Sequence, residues 1–125
     1  MSYPKILIVE DEVSLSNALK DKLIREQYEV VVTPDGERGL NSALNTHPNL
    51  IILDMIMPHM GGLEMLKKLR KDAWGVTVPV IILTNVGNMD HAEEITADPY
   101  LSLRNKSETS LQDLLTIVKE QLTIE

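Results

Sequence analysis

Three carboxylates, one hydroxyl and one ammonium carry the chemistry this sequence can do: Glu10, Asp11, Asp54, Thr84 and Lys106. Most stand just past an apolar run. Ile6-Leu7-Ile8-Val9 leads into Glu10-Asp11, Leu50-Ile51-Ile52-Leu53 into Asp54, and Val80-Ile81-Ile82-Leu83 into Thr84. Lys106 follows a weaker run at 100–103. If these runs are parallel strands, all five groups meet at the carboxyl edge of one sheet, where open α/β sheets place their functional groups. Three carboxylates gathered there raise one another's pKa values unless a cation intervenes. A hard divalent ion with oxygen ligands answers that need. Mg²⁺ fits, since it takes one or two carboxylates, keeps several waters and accepts a phosphate oxygen. Asp54 then serves as a carboxylate nucleophile toward a phosphoryl group. Thr84 would donate a hydrogen bond to that group and Lys106 would supply a positive charge. Phosphoryl transfer asks for little more than positioning and charge stabilisation.

The elements needed to position these groups are legible. Runs at 6–9, 50–53 and 78–83 are almost continuously apolar and β-branched, the pattern of strands covered on both faces. Pro79 sits near the start of its run, where a missing N–H is tolerated. The run at 28–33 is more polar and reads as an edge strand, and 100–103 supplies a fifth. Between them, Leu15, Ala18, Leu19 and Leu23 recur at helical spacing. Leu40, Ala43 and Leu44 mark a second helix that starts near Pro34-Asp35 and ends before Pro48. Leu63, Leu66 and Leu69 mark a third, entered through Gly61-Gly62. Leu111, Leu114, Leu115, Val118 and Leu122 form the clearest stripe, with Thr109 and Gln112, or Ser110 and Asp113, as its capping pair. A short helix over 88–96 would complete the alternation. Strand and helix repeated five times predict an α/β domain, its parallel strands joined by right-handed crossovers. No repeat or linker divides the chain, so residues 1–125 are expected to form a single domain with no output domain.

Composition narrows the function classes. The net charge of −7 repels phosphate backbones, so direct nucleic-acid binding is not expected. There is no cysteine, which rules out disulfides and thiolate metal sites. No signal peptide or apolar run of about 20 residues is present, so a cytoplasmic chain without membrane contact is expected. Phosphate-cradling GxGxxG and Walker-type loops are missing, and acids occupy the turn where a flavodoxin-like cofactor binder would cradle phosphate. The methionines 55, 57, 60 and 65 read as gap-fillers, since thioethers do not suit Mg²⁺. His47, His59 and His91 show no ligand spacing and read as solvated. Trp74 is expected to cover the end of the third helix.

Glu10-Asp11, then Asp54-Met55-Ile56-Met57-Pro58-x-Met60-Gly61-Gly62, then Leu83-Thr84, then Lys106 resemble the receiver domains of response regulators, over essentially the whole chain. The spacings of 30 residues from Asp54 to Thr84 and 22 from Thr84 to Lys106 agree with that family. The resemblance implies a doubly wound, CheY-like (flavodoxin-like) five-stranded parallel sheet of order 2-1-3-4-5. It implies Asp54 as phosphoacceptor in a Mg²⁺-dependent phosphorelay. Glu10, Asp11, Asp54 and the backbone carbonyl of Ile56 would be the metal ligands, with Thr84 and Lys106 sensing the phosphoryl group. A sensor histidine kinase or phosphotransfer protein would be the donor, docking near 14–23. Output would pass through the 88–96 segment, the fifth strand and the last helix to an undefined downstream protein, from a monomer or a phosphorylation-dependent dimer. Such a chain is not an enzyme beyond promoting its own phosphorylation and dephosphorylation. The alternative is a pseudo-receiver, the same fold used as a protein-binding module without phosphorylation.

Four positions depart from the family pattern. Leu103 stands where an aromatic residue is usual three before the lysine, with Tyr100 three residues earlier. Asn85 replaces a very small residue after the threonine. Ser107 follows the lysine in place of proline, and since a non-proline cis bond costs about 2.5–4 kcal/mol, a trans bond and a different loop are expected. The 97–100 run sits three residues early. Either the 88–96 helix is short and the fifth strand long, or Arg104 takes the lysine's place. Lys106 is preferred, because the residues after it match the loop and helix start that follow the family's lysine. Ile56 and Val86 flank the site with aliphatic side chains that cannot orient a water, so slow spontaneous dephosphorylation is expected.

Overall fold

The computed structural model describes residues 3–85 and 97–123. Among the described residues the order is β1 (Lys5–Val9), α1 (Val13–Arg25), β2 (Glu29–Thr33), α2 (Gly36–Thr46), β3 (Leu50–Asp54), α3 (Gly62–Leu69), β4 (Val80–Thr84), β5 (Leu101–Asn105) and α4 (Leu111–Thr123). All strand pairs are parallel, in the order β2-β1-β3-β4-β5. The helix expected over 88–96 lies outside the described residues.

Burial follows the apolar runs. Every residue of β3 and β4 is buried, while β2 and β5, at the two edges, are mostly half-buried. One face of the sheet packs Leu7, Val9, Ile51, Leu53 and Ile82 against Ala43 of α2 and Met65, Leu66 and Leu69 of α3. The other packs Ile6, Ile8, Ile52 and Ile81 against Leu19 and Leu23 of α1 and Leu114, Leu115 and Val118 of α4. Two cores on one sheet make it doubly wound.

Local chemistry sets the helix limits. Asp35 caps α2 by accepting from the Arg38 amide at 2.8 Å, which fills one of the donors left open at a helix start. His47 closes α2 in the left-handed region (φ 49°), and its ring stacks on Trp74 at 4.3 Å between centroids. His47 is therefore held by an aromatic neighbour, which its sequence context does not show. Of the two capping pairs expected for the last helix, Ser110 and Asp113 form the reciprocal box: the Asp113 amide donates to Ser110 Oγ at 3.0 Å and the Ser110 amide to Asp113 Oδ2 at 3.1 Å. At the other end of the sheet, Arg70 binds three segments. Its Nε donates to Asp98 Oδ2 at 2.7 Å, Nη1 to the carbonyls of Gly75 and Val78 at 2.8 Å each, and Nη2 to the carbonyl of Tyr100 at 3.3 Å.

Candidate functional site

Strand register assembles the acidic group. Val9 pairs with Leu53 across β1 and β3, so the next residues, Glu10 and Asp54, emerge side by side. Asp54 pairs with Leu83, which brings Thr84 to the same edge, and Thr84 pairs with Asn105, which sets Lys106 immediately beyond. The fifth strand thus runs through Arg104, which is exposed on it, and Lys106 is the basic residue delivered to the site.

One carboxylate oxygen from each of Glu10, Asp11 and Asp54 lies within 4.8 Å of the other two. Glu10 and Asp54 are only 4% and 7% exposed, whereas Asp11 is open to solvent. Lys106, with a side chain 18% exposed, joins them: its Nζ donates to Asp54 Oδ2 at 3.2 Å and stands 3.1 Å from Glu10 Oε1 and 3.8 Å from Glu12 Oε1. Glu10 Oε2 accepts from the Glu12 amide at 3.0 Å, but Oε1 is buried and, despite the nearby ammonium, lacks a hydrogen bond of good geometry. Burial pushes the Glu10 carboxyl up to about 6. The Glu12 amide opposes that rise, the Asp54 charge adds to it, and Lys106 opposes it again. For Lys106, burial lowers the pKa, but its contact with Glu10 and the charges of Asp54 and Glu10 outweigh that and raise it.

Thr84 is 2% exposed and donates its hydroxyl to the Asn85 carbonyl at 3.2 Å, not to a carboxylate of the cluster. Ile56, two residues beyond Asp54, is 59% exposed. Val86 lies outside the described residues. Of the two glycines of the motif, Gly62 is the one the packing demands. A Cβ there would stand 2.4 Å from the Asp54 carbonyl oxygen and 3.0 Å from Met55 Cα, while the Gly62 amide donates to the Met55 carbonyl at 2.9 Å. Met55 and Met57 are buried and join the core beside Met65.

The loop after β5 is built on Asn105, a residue the sequence reading passed over. Its Oδ1 accepts from the Ser107 amide at 2.9 Å and the Ser107 hydroxyl at 2.7 Å, and its carbonyl accepts from the Glu108 amide at 3.2 Å. The Lys106–Ser107 bond is trans, as expected with serine in place of proline.

The described site fits a hard cation. Its donors are all carboxylate oxygens, one of them a buried oxygen without a hydrogen bond, and one carboxylate faces solvent.

The model of the response regulator receiver domain matches residues 6–117. The probable transcriptional regulator ycf27 of Cyanophora paradoxa is 40% identical over 102 residues, covering 78% of this chain and 41% of that protein. The response regulator ArlR of Staphylococcus saprophyticus is 33% identical over 132 residues, covering 91% of this chain and 59% of that protein. The chain thus spans roughly half the length of these curated relatives. Among solved structures, the chemotaxis response regulator CheY4 of Vibrio cholerae superposes with a TM-score of 0.85 at 26% identity, over 96% of this chain and 99% of that one. This chain belongs to the response regulator receiver domains of two-component systems.

Proposed function

We propose that the chain is a phosphorylatable receiver that takes a phosphoryl group onto Asp54 from a phosphohistidine donor, with Mg²⁺ at Glu10, Asp11, Asp54 and the Ile56 carbonyl. The observation that carries this reading is the convergence of three carboxylates within 4.8 Å with an ammonium 3.2 Å from Asp54. An Asp54 carboxylate oxygen attacks phosphorus, the P–N bond of the donor breaks, and its electron pair returns to the imidazole, which takes up a proton. The product is an acyl phosphate. Mg²⁺, when bound, neutralises the charge brought by the phosphoryl oxygens. Lys106 faces the same oxygens with a charge already fixed in place, so little reorganisation accompanies transfer. Thr84 must turn its hydroxyl from the Asn85 carbonyl to reach a phosphoryl oxygen, a local change that would report phosphorylation. The donor is a histidine kinase or phosphotransfer protein, which implies a cytoplasmic setting, and the signal leaves through protein contact. The chain modifies itself and turns over no separate substrate.

Incubation with a small acyl phosphate and Mg²⁺ tests this. The expected result is a mass gain of one phosphoryl group, absent in Asp54→Asn. No gain under saturating donor and metal would instead assign the chain as a pseudo-receiver.

A further inference from the structure

We infer that Asn105 is the positioning residue for Lys106: its side-chain carbonyl builds the turn that holds the ammonium between Glu10 and Asp54. This inference rests on the phosphoacceptor reading for its consequence, but its geometry stands apart from it. The Lys106 amide donates to the Thr84 carbonyl at 2.7 Å, which pins the residue at the end of β4. That bond fixes one side of Lys106 only. On the other side the chain must turn away toward Ser110 and α4, and serine after lysine imposes no backbone angle as a proline ring would. Asn105 supplies the restraint through three contacts already described, two of them to Ser107 through Oδ1. Asparagine favours this arrangement because its short amide reaches the backbone two residues on. Lys106 lies inside the closed turn, between Asn105 and Ser107. Its side chain carries several rotatable bonds, each of which loses freedom when Nζ is held 3.1 and 3.2 Å from two carboxylates. A fixed backbone leaves only the side chain to be ordered.

Two variants and two readouts test the inference. Asn105→Ala removes the acceptor. Asn105→Asp keeps a side-chain oxygen where Oδ1 stands. The first readout is acylation of Lys106 by an amine-reactive ester, followed by peptide mass spectrometry without metal or donor. Labelling is expected to be slow in the unsubstituted chain, roughly tenfold faster in Asn105→Ala, and slow again in Asn105→Asp. The second is phosphorylation by acetyl phosphate in Mg²⁺, where Asn105→Ala is expected to lower the maximal rate roughly tenfold with little change in the donor concentration at half-maximum. Equal labelling of Lys106 in Asn105→Ala and the unsubstituted chain overturns the inference, as does failure of Asn105→Asp to restore slow labelling. If the unsubstituted chain takes up no phosphoryl group, the phosphoacceptor reading fails, while the labelling result still decides the role of Asn105.

Discussion

Lys106 Nζ donates a hydrogen bond to Asp54 Oδ2 across 52 positions of sequence, joining the end of β3 to the loop after β5. The ammonium is the cation that the described residues themselves bring among the carboxylates. Lys106→Met keeps the apolar stem and removes the charge. Stability in metal-free buffer near neutral pH should fall by about 1–2 kcal/mol, because two buried carboxylates lose their partner. The rate of phosphorylation should fall by about 10²-fold. Denaturant midpoints and mass-resolved time courses measure the two effects.

Metal should stabilise the chain through the same carboxylates. At ten times its dissociation constant, Mg²⁺ is expected to add about 1.4 kcal/mol, which raises Tm by about 5 °C. Asp11→Ala should abolish that increment while leaving the metal-free Tm nearly unchanged, since Asp11 is exposed. An equal Mg²⁺ response in Asp11→Ala would remove Asp11 from the ligand set.

The two glycines of the motif should differ sharply. A Cβ at Gly62 collides with backbone at 2.4 Å, whereas one at Gly61 meets the Met55 carbonyl oxygen at 3.3 Å. Gly62→Ala should cost about 1–3 kcal/mol and slow phosphorylation by displacing the end of β3. Gly61→Ala should cost much less. Urea denaturation of both variants gives the comparison.

A surface pair ties α1 to α4. Lys119 Nζ lies 2.6 Å from Glu26 Oε1, and this contact holds the Glu26 carboxyl below its ordinary 4.5. A lowered folded pKa means the contribution is present above the ordinary value and disappears as pH falls through the lowered one. Glu26→Gln should therefore lower Tm at pH 7 and have no effect at pH 2, and the difference at pH 7 should shrink in 1 M NaCl. Thermal melts at both pH values, with and without salt, check this.

The phosphorylated form should be long-lived. Ile56 stands exposed beside Asp54 with no donor or acceptor to align a water. Ile56→Asn should shorten the lifetime of the acyl phosphate severalfold, read by loss of the phosphoryl mass after the donor is removed.

The sequence foretold much of this because its signals are local. The apolar runs before Glu10, Asp54 and Thr84 became β1, β3 and β4, and register then placed the acids together. Ser110 and Asp113 announced their cap three residues apart. Fold-spanning contacts left no such trace. Arg70 reads as one more cation in a basic helix end, because its acceptors are main-chain carbonyls and a carboxylate 28 positions away. His47 is exposed, as its context suggests, but its stacking on Trp74 left no trace because the two are distant in sequence. Asn105 was missed for a different reason. Its effect runs through a turn whose residue types suit many loops, and the absent proline after Lys106 was the only hint that another residue must shape it.

The Arg70 fork has one more consequence. A single planar group clasps the end of α3, the lead-in to β4 and the lead-in to β5, so those three threads share one knot. Slack introduced at any of them would travel to the other two, and that whole margin of the sheet should fray as a unit.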